Sequence, residues 1–141
     1  MVSMKIIDIL NSSKPTLSFE VFPPKTDSAY ASVEQAVEKI ADLNPSYMSV
    51  TYGAGGGTSS HTVSIAKHIQ GDKGVTATAH LTCISSNHEL VQSQLTKLKD
   101  AGIENILALR GDIPEGFSLD KLDYHHASDL AKEISDFGGF C

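Results

Sequence analysis

Runs in which apolar residues dominate or alternate with polar ones recur along the chain: Thr16 to Phe22, Ser46 to Thr51, Val75 to Leu81 and Asn105 to Leu109. Their length and period predict β-strands. Each is followed by a loop and then by apolar positions at helical spacing. Val33, Val37 and Ile40 share a face in the first such segment, about Ser28 to Leu43, and Asn44-Pro45 ends it. The second, His61 to Ile69, has Ser59 or Ser60 as its N-cap, Gly71 as its stop, and Val63, Ile65 and Ile69 turned inward. In the third, Ser86-x-x-Glu89 reads as a capping box, Val91, Leu95 and Leu98 share a face, and Gly102 suits the left-handed position after the last turn. The fourth, about Tyr124 to Asp136, buries Ala127, Leu130, Ala131 and Ile134; after Gly138-Gly139, Phe140-Cys141 reads as the start of another strand.

The expected strand ends Phe22, Thr51, His80 and Leu109 are each 29 residues apart. Equal βα units predict a barrel or a doubly wound parallel sheet, with any ligand at the C-terminal ends of the strands. A closed (β/α)₈ barrel takes about 250 residues, whereas these 141 supply four units and the first residues of a fifth strand. Such a sheet leaves two edges and one face uncovered, so the expected partner is a second copy of the chain or a complementary barrel half.

Charge narrows the function. With 11 Lys and Arg against 17 Asp and Glu, the net charge is −6 and no basic run is present. Nucleic acid and anionic membrane are therefore poor partners, and a small molecule is the default. No apolar stretch spans a bilayer, and Met1 to Leu10 lacks the regions of a signal peptide, so a cytoplasmic protein is expected, with Cys83 and Cys141 as reduced thiols.

The strand ends carry the candidate chemistry. Glu20, in Ser18-Phe19-Glu20-Val21-Phe22-Pro23-Pro24-Lys25, has apolar neighbours that would raise its pKa and suit it to proton donation; the alternative is a Glu paired with a cation on a neighbouring strand. The glycine-rich loop Gly53-Ala54-Gly55-Gly56-Gly57 would let backbone N–H groups approach a ligand, or is a loop without one. It is not a dinucleotide fingerprint, because the third glycine of that pattern falls at Thr58. His80 and Cys83 make a poor metal pair; His80 is expected to hydrogen-bond at the pocket mouth, Cys83 to pack, and His125-His126 to lie solvated at a helix start. Arg110-Gly111-Asp112 sets a cation, a close-approach glycine and a carboxylate beside a ligand, or is an ion pair fixing its own loop. No Lys occupies a strand end, which counts against a Schiff-base aldolase.

Four segments in register, Ser18 to Lys25, Ser49-Val50-Thr51-Tyr52-Gly53-Ala54, His80-Leu81-Thr82-Cys83 and Leu107-Ala108-Leu109-Arg110-Gly111-Asp112, resemble methylenetetrahydrofolate reductase. The resemblance covers essentially the whole chain, residues 1–141, as the N-terminal half of that family's catalytic (β/α)₈ TIM barrel. It implies non-covalent FAD, reduced by NADH or NADPH, and reduction of 5,10-methylenetetrahydrofolate to 5-methyltetrahydrofolate in one-carbon metabolism and methionine biosynthesis. By motif it makes Glu20 the general acid and Asp112 the carboxylate near flavin and pterin. Thr51 falls at a contact to the nicotinamide nucleotide, and Tyr52, Ala54, His80, Arg110, Gly111 and Ala127 at FAD contacts. No metal is implied. His126-Ala127 stands where the family often has Tyr-Ala, and units five to eight are absent. The resemblance thus leaves two functions open: a reductase that needs the missing half, or a non-catalytic half-barrel that self-associates without flavin.

Overall fold

The computed structural model describes residues 4–53, 59–113, 115–120 and 122–141. The elements run α1 (Ile6–Leu10), β1 (Ser18–Val21), α2 (Tyr30–Ala41), β2 (Tyr47–Val50), α3 (Ser59–Lys67), β3 (Ala77–Thr82), α4 (His88–Asp100), β4 (Asn105–Leu109) and α5 (Ala127–Phe137). The strands form one parallel sheet in the order β1-β2-β3-β4, so four parallel βα units stand side by side. This is the α/β arrangement expected from the spacing, and it is consistent with part of a TIM barrel.

The pleat sends alternate residues to opposite faces. One face packs on helices: Val21, Met48, Val50, Ala77 and Ala79 join Val37, Ala41, Ile65, Ala66 and Leu98, while Leu81 and Cys83 join Val91, Leu95, Tyr124, Leu130 and Ile134. The other face carries Glu20, Ser49, Thr78 and Asn105 at one ladder level, with His80 beside Leu107 one pleat repeat further on. Past the last residues of the fourth unit, Cys141 N–H donates to Glu104 O (2.7 Å) and Ile106 N–H donates to Cys141 O (3.0 Å), so Phe140-Cys141 begins to extend the sheet as expected.

Several local expectations are corrected. The cap of α4 is Asn87, whose side chain accepts from Leu90 N–H at 2.8 Å; Ser86 Oγ instead donates back to Thr82 O. Asn caps as well as Ser, and the Ser86 hydroxyl is better used at the end of β3. Ser59 and Ser60 lie inside α3, which continues into a wider π-type turn over His68–Asp72 before Lys73. α5 starts at Ala127, so Leu130, Ile134 and Phe137 face inward and Ala131 is exposed. β3 reaches Thr82, which breaks the equal spacing of strand ends.

α1 was absent from the periodicity, because four apolar residues in five leave no amphipathic stripe to read. Tertiary contact holds it in place. The Asn105 side chain accepts from Ile6 N–H (2.8 Å) and donates to Met4 O (3.2 Å) and Ala77 O (3.3 Å). Together with the turns before β2 and β3, α1 lines a cleft of about 540 Å³ at the N-terminal ends of the strands, away from the candidate chemistry.

Candidate functional site at the strand ends

Glu20 and His80 are brought together. His80 Nε2 lies 3.9 Å from Glu20 Oε2, although β1 and β3 are separated by β2. The surroundings of Glu20 differ from the expectation: of its apolar neighbours Phe19, Val21 and Phe22, the first two fall on the opposite face by the pleat and Phe22 is itself 67% exposed, while the Glu20 side chain is 48% exposed. His80 is the enclosed member of the pair at 7% exposure, buried rather than at the mouth. Burial pushes its pKa below the ordinary 6.5, with the Glu20 charge opposing.

Thr51 extends β2 by one ladder bond, its N–H donating to Val21 O at 2.9 Å. Its carbonyl accepts from the buried Thr62 hydroxyl at 3.0 Å, which ties the end of β2 to α3. Thr62 was missed as a site-shaping residue. The signal was available, since Thr62, Ile65 and Ile69 share one helix face and a polar residue there needs a partner. Tyr52 is half-buried, and burial raises its phenol pKa against a bond with Ser59. At the rim, His61 Nε2 meets Asp27 Oδ1 at 3.0 Å and stacks near Tyr30, joining α3 to the loop after β1. Ala54 and the rest of the glycine run, Gly55 to Thr58, lie outside the described residues.

The end of β4 is pinned to the end of β3: Ile84 N–H donates to Arg110 O at 2.8 Å, and Cys83 N–H is shared between the carbonyls of Leu109 and Arg110, both at 3.2 Å. Gly111 follows with φ +88°, and a Cβ there would sit 3.2 Å from Thr82 Cβ and from Ile84 Cγ2. Arg110 and Asp112 are exposed, and Arg110 Nε donates weakly to Gly111 O at 3.4 Å. Cys83 is buried and its thiol pKa is raised by burial, as suits a packing residue. His125 and His126 are exposed; their N–H groups both donate to Asp129 Oδ2 at 2.9 Å, fixing the start of α5 beside the half-buried Ala127. Those backbone bonds hold the Asp129 carboxyl below its ordinary range.

Glu20 lies on β1 and Asp112 follows β4, the two outer members of the order β1-β2-β3-β4. A ligand meeting both must span the mouth of the sheet. Among the described residues, no group of three or more His, Cys, Asp and Glu could hold a metal ion, and no helix is long and apolar enough to cross a membrane.

A parallel βα sheet covered by helices on one face, with its polar side chains gathered at the C-terminal ends of the strands, defines an α/β protein of the barrel type. The family model for methylenetetrahydrofolate reductase matches residues 5–141, and the chain belongs to that family. It is 37% identical over 124 residues to 5,10-methylenetetrahydrofolate reductase of Escherichia coli, an alignment covering 86% of this chain and 41% of that protein. It is 37% identical over 112 residues to methylenetetrahydrofolate reductase (NADH) 1 of Zea mays, covering 79% of this chain and 19% of that protein. With methylenetetrahydrofolate reductase 2 of Schizosaccharomyces pombe the identity is 32% over an alignment of 147 positions, gaps included, which covers 98% of this chain and 23% of the yeast protein. The chain thus spans about two-fifths of the length of the bacterial relative.

Proposed function

We propose that residues 1–141 form the N-terminal half of a methylenetetrahydrofolate reductase barrel that, once completed, reduces 5,10-methylenetetrahydrofolate to 5-methyltetrahydrofolate with FAD and NADH or NADPH. The observation that carries this reading is the meeting of Glu20 and His80, from two of the four family motifs, on the face that helices leave free. The side chains at the strand ends suit a flavin: the Thr51 and Thr82 hydroxyls, the Tyr52 ring, the enclosed His80 ring and the Arg110 cation, with the small residues Gly111 and Ala127 after them. Bound there, FAD supplies the hydride.

The residues of this chain supply the proton and the charge. Glu20 gives its proton to the nitrogen that leaves the methylene bridge, so that the C–N bond breaks and a 5-iminium cation forms. Half-exposure lets the carboxylate regain its proton from water after each turnover. Asp112 faces the cation with negative charge and lowers its energy. Thr51 lies where the nicotinamide nucleotide docks.

In a complete barrel, Glu20→Gln is expected to leave reduction of the flavin by the nicotinamide nearly intact and to abolish folate reduction. Equal loss of both half-reactions would sink the general-acid role. Titration of the 141-residue chain with FAD, followed by flavin fluorescence, tests whether this half assembles a usable site.

A second reading is favoured by one observation. Phe22 is 67% exposed and Leu107 44% exposed, both belonging to the helix-free side of the sheet. A second copy of the chain would cover them, and a colourless protein of dimer mass in solution would support that reading.

A further inference from the structure

The contact between Glu20 and His80 crosses over β2. The ladder levels Glu20 with Ser49 and Thr78, so His80 stands one pleat repeat further along β3 and two strands away. Roughly 10 Å separates alternate strands, a gap that a glutamate and a histidine close only if the strand between them carries short side chains. Ser49 meets that condition, as does Thr51 beyond it. Glu20 on β1 is the charged group that faces His80; β2 presents Ser49 and Thr51 and β4 presents Leu107, none of which titrates near neutrality.

The two side chains differ in their access to water: the His80 ring is enclosed, whereas the Glu20 carboxyl is half-exposed. We propose that His80 is a positioning residue for Glu20: the enclosed ring holds the half-exposed carboxyl over Ser49 and so sets the direction in which Glu20 presents its proton. A larger residue at Ser49 would break the pair by separating its members.

The inference rests on the general-acid reading of Glu20, and its test is independent of turnover. Imidazole C–H signals of the 141-residue chain are followed by NMR across pH, with His80 assigned by its loss in His80→Asn. Glu20→Gln is expected to lower the His80 midpoint by about one pH unit, the size of a water-screened charge pair at this distance, and added salt to shrink the difference. Glu20→Asp keeps the charge on a shorter arm and is expected to give a smaller shift, which guards against a fold lost in any one variant. A His80 midpoint that is the same in wild type and Glu20→Gln overturns the pair, whatever the completed barrel catalyses. A shifted midpoint, combined with full folate reduction by a complete barrel carrying Glu20→Gln, leaves the pair standing and removes the general-acid reading.

Discussion

Gly111→Ala isolates the geometry on which the β4 end of the site depends. The substitution incurs two costs. At φ +88° a side chain is held in the left-handed half of the map, which costs about 1–2 kcal/mol. Its Cβ would also lie 3.2 Å from Thr82 Cβ, an atom fixed to its backbone, and 3.2 Å from Ile84 Cγ2, the end of a side chain that can turn. The backbone cannot retreat without breaking the bonds from Ile84 and Cys83 to Arg110 O, so crowding adds about 1–2 kcal/mol more.

Gly102→Ala supplies the control. Gly102 follows α4 at φ +75°, and its nearest atom to an added Cβ is Gln70 Nε2 at 4.0 Å, so it carries the conformational cost without the collision. The expected losses are about 3 kcal/mol for Gly111→Ala and about 1 kcal/mol for Gly102→Ala. For a chain of this length that is about 10 °C against about 3 °C in melting temperature. Urea unfolding followed by circular dichroism measures both as shifts in midpoint at constant slope. Equal losses in the two variants would refute the collision at Thr82, and no loss in either would refute the argument from φ.

Other parts of the fold give further expectations. Asn105→Ala strips partners from Ile6 N–H, Met4 O and Ala77 O at a fully enclosed position, so a loss of about 2–4 kcal/mol and faster tryptic cleavage at Lys5 are expected; unchanged cleavage would show that Asn105 does not hold α1. Glu133 joins α5 to α4 and the preceding loop, accepting from Tyr124 OH at 2.5 Å and Gln92 Nε2 at 2.7 Å and pairing with His88 Nδ1 at 2.7 Å. Burial pushes the Glu133 pKa up, but the bonds from Tyr124, Gln92 and His88 outweigh it and hold the carboxyl below its ordinary 4.5. His88 is raised above its ordinary 6.5, chiefly by that same bond. Stability from Glu133 is present above 4.5 and lost as pH falls through its depressed value; that from His88 is present below 6.5 and lost as pH rises through its raised value. The stability gap between wild type and Glu133→Gln, read from urea midpoints at a series of pH values, is therefore expected to peak between those two values. A gap that does not vary with pH would remove the latch.

Much of the fold was legible in local pattern. Alternation marked the four strands to within a few residues, and helical spacing marked Val37, Ile65, Leu95 and Leu130, all of which are buried. Such signals are readable because periodicity depends only on which residues share a face of one element. Caps were less legible: Ser86 and Asn87 compete for one position, and the choice depends on what the losing side chain can reach, here Thr82 O.

The sequence by itself determined the βα order, the parallel sheet and the strand-end residues that place the chain in its family. It also supplied Glu20, His80, Arg110 and Asp112 as the candidate groups for chemistry. Tertiary structure alone decided which of them meet. Glu20 was expected among apolar side chains because Phe19 and Val21 adjoin it in the chain, yet the pleat turns both away and register carries Glu20 over Ser49 toward His80. The same holds for Asn105 with α1 and for Thr62 with Thr51. Neighbours in the chain alternate between faces, whereas neighbours across a sheet are set by register and by the size of what lies between, and neither quantity is local to any one segment.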